Sequence, residues 1–387
     1  MIQQAPGAIR MDDEGREVLV TGAPSFTAMQ LVWRILEREP RTRVTLLVRG
    51  DRLTRTENLL SRYPAARERV RMWRALVTEV DFGLEPARIA ELRERVTDVY
   101  HMAGLYHLGV AKEQAEEVNI RGTRMVLDAA RTMTRLQRFN HLSSAYVCGD
   151  REGVILEDDL ELGQHFRNTY ERTRFTAELD VRRARREMPV SVFRPSLVVG
   201  DSRTGEIGWF DGPWLFVQAI ARNPDRLPTL LPSASQYPFN VVPSDWVAAA
   251  LHEISRRDDA VGRTFHLTDP APVSQASAFR LLAQHIHEGP VRSTLQSKLA
   301  ERILSIGMVE RMTRRQRPFL NELDSLAIFN CSNTLKALHG TGLPCPFFPD
   351  YVARLVEFAH LESPAWLPGK AAAQDDLAGL DAFNDLP

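Results

Sequence analysis

The chain reads as an α/β protein, a Rossmann-type doubly wound parallel sheet followed by a smaller, mostly helical C-terminal substrate lobe. Three observations predict this. Short apolar strand patterns alternate with helical ones through the first half of the 387 residues, which is how a parallel sheet covered on both faces reads. The first strand, Val18-Leu19-Val20, runs into Thr21-Gly22-Ala23-Pro24-Ser25-Phe26-Thr27-Ala28 and then a helix, a glycine-bearing strand–turn–helix corner. After Gly200 the alternation breaks into Gly-, Pro- and polar-rich stretches over Arg203–Gly212 and Pro224–Phe239, the composition of loops bordering a site.

Each element follows from local pattern. Glu17–Thr21 is a short apolar run, and Phe26–Arg38 spaces Met29, Leu31, Val32, Ile35 and Leu36 as a helix does. Arg43–Val48 is a second strand, followed by a charged helix over Asn58–Arg69 and a third strand over Val70–Val77. A helix over Pro86–Glu94 opens on proline, whose fixed φ suits the first helical position. Asp98–Met102 is the fourth strand, and Val110–Thr134 a long helix with Val118, Val126, Leu127 and Ala130 on one side. Phe139–Val147 and Val190–Val199 are further strands, separated by a helix over Tyr170–Arg186. Helices over Pro243–Arg256, Ser274–His287, Ser293–Met312 and Phe348–Ala359 and a strand over Arg263–Leu267 complete the pattern. The expected organisation is a nucleotide-binding core at 15–200, a substrate-binding and lid region at 201–365 interleaved with the last core strands, and an acidic, disordered tail at 366–387.

Composition narrows the partners. A net charge of -1 offers no field for nucleic acid or an anionic membrane. Three cysteines, Cys148, Cys331 and Cys345, are too few and too scattered for a disulfide framework or zinc knuckle, which suits a reducing cytoplasm. The first residues have no apolar run of the secretory kind, and no stretch approaches the ~20 apolar residues of a membrane span. His285 and His287, two apart, fall on different sides of a helix, so no metal is expected. Cys148 reads as a packing residue. The amphipathic, basic 293–317 stretch reads as a lid helix, with a membrane-surface or carrier-protein contact as the alternative.

The glycine corner suits a pyrophosphate, since backbone N–H groups and the helix dipole meet there. Gly22, Ser25, Phe26 and Thr27 are the candidates, with Ser25 standing where such loops usually have glycine and Ala28 small enough for helix–strand packing. A corner that binds nothing accounts for the same residues. Arg49 ends the second strand where an acid would suit NAD, so Arg49, with Arg52, favours the 2′-phosphate of NADP. Leu76 and Val77 end the third-strand run, in a stretch like the segment where a Gly-Asp pair would meet adenine; Leu76 cannot accept that hydrogen bond, leaving packing and the Val77 backbone. Met102, Ala103 and Gly104 would flank the nicotinamide ribose, and Asn119, Gly122 and Thr123 are equally explained as structural hydrogen bonding.

Carbonyl reduction needs a proton donor and something to lower that donor's pKa. Tyr170 and Arg174, one helical turn apart, supply a phenol and a cation, and Ser144 after the preceding strand can bond the same oxygen. Arginine keeps the charge of the usual lysine but is planar and cannot pass on a proton. It is therefore expected to impair turnover or reroute the proton relay.

These residues, with Val198-Val199-Gly200-Asp201, Phe239-Asn240-Val241-Val242-Pro243-Ser244-Asp245 and Gly262-Arg263-Thr264-Phe265-His266-Leu267-Thr268-Asp269, resemble the extended short-chain dehydrogenase/reductase family, and within it the thioester-reductase-like (fatty acyl reductase-like) branch. The resemblance covers roughly Val18 to Phe358 and departs from the family pattern at Ser25, Leu76 and Arg174. It implies an NADP-using reductase (NAD being the alternative) of a thioester-bound acyl group or related carbonyl, on a small-molecule or carrier-bound substrate. Ser144, Tyr170 and Arg174 would be catalytic, Tyr170, Arg174, Pro195 and Val198 would also touch the cofactor, and a homodimer is an allowed assembly. Two other readings stay open: an NAD(P)-linked alcohol dehydrogenase or epimerase of a sterol-like or sugar-like substrate, and a catalytically silent binding or scaffold protein. Retained Ser144 and Tyr170 favour the enzymes, and the three altered positions favour the silent relative.

Overall fold

The computed structural model describes residues 15–64, 66–106, 111–207, 237–287 and 326–362. The chain divides into two compact units, one of residues 1–198, 242–270 and 327–345 and a second of 199–241, 271–326 and 346–387.

The first unit holds seven parallel strands: β1 (Glu17–Ala23), β2 (Arg43–Val48), β3 (Val70–Arg74), β4 (Asp98–His101), β5 (Arg138–Leu142), β7 (Val190–Pro195) and β10 (Thr264–Leu267). Their spatial order is β10-β7-β5-β4-β1-β2-β3. The order reverses between β1 and β4, so their carboxyl ends form the switch-point crevice in which such sheets bind ligands. Successive residues of a strand face opposite ways, and the sheet has an apolar layer on each face. Val18, Val20, Val44, Leu46 and Val48 pack with α1 (Phe26–Arg38) and α8 (Ser244–Ser255), which follows directly on the short β9 (Val241–Pro243). Leu19, Leu47, Val99, Phe139, Val190 and Val192 pack with α4 (Pro86–Arg95), α6 (Gly122–Arg131) and α7 (Thr169–Ala184).

Several elements differ from expectation. The helix expected over 58–69 is two, α2 (Leu53–Leu60) and α3 (Ala66–Arg69). Pro64 lies between them, and Tyr63 stacks on Trp33 at 4.8 Å. The third and fifth strands stop at Arg74 and Leu142, because the next residues turn to serve neighbouring segments. The 190–199 run breaks at Ser196 into β7 and β8 (Leu197–Val199). The long helix is α5 (Lys112–Ala115), a π-helical turn over Glu116–Arg121, and α6; Val110 lies outside the described residues. A parallel pair, β6 (Gly153–Ile155) with β11 (Ala327–Phe329), and helix α10 (Ser332–Leu338) were not expected. The Ser293–Met312 helix and the 366–387 tail fall outside the described residues.

In the second unit, α9 (Gln275–His287) packs on α11 (Phe348–Glu362). Phe239 joins them, 5.8 Å from Phe279 and 5.7 Å from Phe348. Among the described residues no helix is long and apolar enough to cross a membrane.

Candidate cofactor and catalytic site

At the switch point the β1 and β4 ends are bound together. Thr21 Oγ1 accepts from Met102 N (3.2 Å) and Ala103 N (3.1 Å) and bonds His101 Nδ1 at 2.9 Å. Gly22 has φ +93, and a Cβ there would lie 2.6 Å from Met102 C and 2.7 Å from Ala103 N. Both the left-handed backbone and the close approach require glycine. Ser25, in contrast, sits at φ -59 and ψ 145, where any residue is relaxed, so the serine costs no backbone strain. Its side chain makes no cap bond. The backbone N–H groups of Phe26, Thr27 and Ala28 meet no backbone acceptor among the described residues, as the first turn of a helix leaves them. This corner suits an anion.

Beyond β2, Arg49 Nε and Nη2 each donate to Asp51 at 2.6 Å, and Arg52 Nε lies 3.4 Å from the same carboxylate. Burial acts upward on the Asp51 carboxyl, but the Arg49 bond and charge overcome it and hold it below the usual range. Arg74 joins them: a Cβ on Gly50 would lie 2.8 Å from Arg74 Nε. Sequence reading missed Arg74; the signal was register, since it pairs with Val48 at the end of the adjacent strand. Three guanidinium groups therefore gather around the Gly50–Asp51 turn.

After β3, Leu76 N donates to Phe82 O at 3.1 Å. Val77 presses on the long helix, where a Cβ on Gly122 would meet its Cγ2 at 3.2 Å. Asn119, in the π-helical turn, accepts from Leu105 N (2.8 Å) and donates to Thr173 Oγ1 (2.9 Å), and Thr123 Oγ1 bonds His101 Nε2 at 2.9 Å. Structural hydrogen bonding and packing account for all three helix residues.

The two serines after β5 have separate tasks. Ser143 Oγ donates to Glu178 Oε2 at 2.6 Å. Ser144, buried at 3% exposure, accepts from Tyr146 N at 3.2 Å, and an acceptor role leaves its O–H able to donate. Helix α7 starts at the Asn168 cap, whose Oδ1 accepts from Glu171 N at 2.9 Å. This sets Tyr170 and Arg174 on one face. Arg174 is wholly buried, with Nη1 donating to Leu142 O at 3.3 Å and Cζ 4.7 Å from the Tyr106 ring and 5.8 Å from the Tyr170 ring. Its Nε and Nη2 have no hydrogen-bond partner among the described residues. Gly104 is pressed on the same guanidinium, with a Cβ there 2.7 Å from Cζ. Tyr106, whose hydroxyl donates to Met102 O at 2.6 Å, escaped sequence reading because no motif marks it. Pro195 ends β7 beside the β10 residue Leu267, and Val198 lies half-buried in β8. Cys148 is buried, and burial pushes its thiol up to about 12, which leaves a packing role.

A buried polar layer underlies the pair. The rings of His101 and His141 are 5.3 Å apart. Burial, with Arg174 adding to it, holds His141 down to about 3 and His101 well below its ordinary value, so both are neutral. Glu178 opposes this trend: burial would raise it, but Arg194 (2.8 Å), Arg182 (2.9 Å) and Ser143 hold it down to about 2. That fully paired carboxylate ties α7 to β7 and fixes the turn bearing Tyr170 and Arg174. A buried cation with two unmatched donors, beside a glycine-lined corner and an open helix N-terminus, fits a nicotinamide nucleotide.

Comparison with known proteins agrees. The profile of the male sterility protein family, an NAD-binding domain, matches residues 20–251. The chain belongs to this family. It is thus a thioester-reductase-like member of the extended short-chain dehydrogenase/reductase family. Fatty acyl-CoA reductase 1 of Gallus gallus is 24% identical over 250 residues, covering 53% of this chain and 48% of that protein. The nonribosomal peptide synthetase hkm10 of Aspergillus hancockii is 26% identical over 294 residues, 67% of this chain and 27% of that protein. The chain spans less than two thirds of the length of the curated relatives it matches. The fold matches the terminal R domain of the myxalamid biosynthetic pathway, with TM-score 0.74 and 24% identity over 91% of this chain and 92% of that one.

Proposed function

We propose that the protein is an NADP-dependent reductase of a thioester-bound acyl group, carried by a small thiol or a carrier protein. One observation carries the reading: a wholly buried Arg174 keeps two nitrogens, Nε and Nη2, without an aligned acceptor beside the Tyr170 phenol. Leu142 O and the Tyr106 and Tyr170 side chains hold the charge only in part; buried donors without an aligned acceptor are costly unless the working complex supplies one, and ribose hydroxyls are acceptors of the right kind. NADP rather than NAD follows from Arg49, Arg52 and Arg74 around one turn.

Bound NADPH would supply hydride to the thioester carbon. The Ser144 hydroxyl donates a hydrogen bond to the carbonyl oxygen, and Tyr170 delivers its proton there. Arg174 stabilises the phenolate that proton donation leaves behind. Because a guanidinium does not release its own proton, Arg174 holds charge and position only. Hydride on the carbon and the Tyr170 proton on the oxygen give a thiohemiacetal; its C–S bond then breaks as the O–H proton leaves and sulfur takes up a proton, releasing an aldehyde and a free thiol.

The test is calorimetric titration with NADPH and NADH, followed by NADPH oxidation with an acyl-CoA. NADPH is expected to bind more tightly, and oxidation to require the thioester and to fall at least ~100-fold in Tyr170→Phe. Failure to bind either nucleotide overturns the reading, and so does turnover of alcohols with none of thioesters.

A further inference from the structure

Arg174 sits in a fitted cradle. Its guanidinium lies against the Gly104 backbone, is fixed at one end by Leu142 O at 3.3 Å, and faces the Tyr106 ring at 4.7 Å. Tyr106 is held in turn, its hydroxyl donating to Met102 O at 2.6 Å, and its ring lies 6.5 Å from that of Tyr170. We infer that Tyr106 is a positioning residue that holds the Arg174 guanidinium beside Tyr170, making this site specific for arginine rather than lysine. The inference rests on the reading of Tyr170 and Arg174 as the working pair.

The chemistry favours the planar ion. A guanidinium can lie over an aromatic face while its in-plane donors stay directed elsewhere, here Nη1 to Leu142 O. A lysine ammonium is a compact, strongly hydrated charge that presents no plane to Tyr106. It would leave unfilled the space that Gly104 opens. The aromatic contact also locates the charge: Met102 anchors the ring, the ring anchors the guanidinium, and the guanidinium faces the phenol. The other titratable groups are accounted for. His101 and His141, which face Arg174 from β4 and β5, are neutral, and Glu171 on α7 pairs with Arg167.

The test is an ultraviolet phenolate titration of the nucleotide-free protein, with Tyr170 isolated as the difference from Tyr170→Phe, paired with calorimetric NADPH binding. Tyr106→Leu is expected to raise the Tyr170 midpoint by about one unit, a tenfold gain in proton affinity, and to weaken NADPH binding. Tyr106→Phe keeps the ring, loses the Met102 tether and should shift less than half as far. Arg174→Lys should also raise the midpoint. An unchanged midpoint and affinity in Tyr106→Leu, or an Arg174→Lys protein that titrates and binds like the parent, overturns the inference. Should Tyr106→Leu not fold, the Phe and Lys variants decide alone. Since the titration needs no turnover, the expected shifts in a protein that reduces nothing would count against the proposed reaction and leave the cradle standing.

Discussion

Replacing Gly22 by alanine tests the cofactor corner most directly. The added Cβ meets two separate penalties. Holding a non-glycine residue at φ +93 costs about 1–2 kcal/mol. Pushing the methyl into backbone atoms at 2.6–2.7 Å costs about 1–3 kcal/mol, since Met102 and Ala103 cannot swing aside as a flexible side chain would. Together these give roughly 2–5 kcal/mol, or a fall in Tm of about 4–10 °C at ~2 °C per kcal/mol. Because the same atoms shape the β1 and β4 ends, NADPH affinity should fall with stability. Ser25→Gly is the control: φ -59 needs no glycine and no cap bond is lost, so stability should change by less than about 1 kcal/mol. Scanning calorimetry and nucleotide titration on both variants decide the matter. If Gly22→Ala melts and binds like the parent, or Ser25→Gly loses as much, the reasoning about this corner is wrong.

Two further outcomes follow from charged and polar groups. Neither ring nitrogen of His141 has a partner among the described residues, and burial holds its folded pKa at about 3, below the ordinary 6.5. The unfolded chain therefore binds the extra proton, and stability present above pH ~6.5 is lost as pH falls toward 3, by about 2 kcal/mol already at pH 5. His141→Leu should remove that loss, and urea unfolding at pH 7 and pH 5 would expose an error if both proteins weaken equally. Asp51→Asn should free Arg49 and tighten 2′,5′-ADP about 2–5-fold, a gain of under ~1 kcal/mol because the pair is partly exposed, and one that salt erodes. Binding of 5′-AMP should not move. Equal shifts for the two nucleotides would mean that the Arg49–Arg74 turn does not read the 2′-phosphate.

The sheet was legible because it rests on period and order: β2 and α1 occupy the expected residues, and the switch point follows from them. Strand ends were not, since Arg74 and Leu142 stop where tertiary contacts, rather than apolar character, take over. The pair β6 and β11 joins segments far apart in the chain, and no local pattern announces it. At the candidate site, the proximity of Tyr170 and Arg174 was legible from their spacing of one helical turn. The division of labour between Ser143 and Ser144 was not, because it depends on which hydroxyl reaches Glu178. Tyr106 and Arg74 were invisible for a related reason: each owes its place to a neighbour across the sheet or crevice, and a linear pattern carries no such proximity. The serine at position 25 reads as a defect in sequence and is conformationally ordinary in space.

The wide turn at Glu116–Arg121 has a consequence for chain length. A π-helical turn accommodates one residue more than a regular helix, and each residue of α-helix advances the face by ~100°. Because the extra residue is taken up within the turn itself, removing one position other than Asn119 there would restore ordinary winding and keep the phase of α6. Gly122 would stay against Val77, and Thr123 against His101. The same deletion inside α6, which has no such slack, would rotate every later residue of that helix by ~100°.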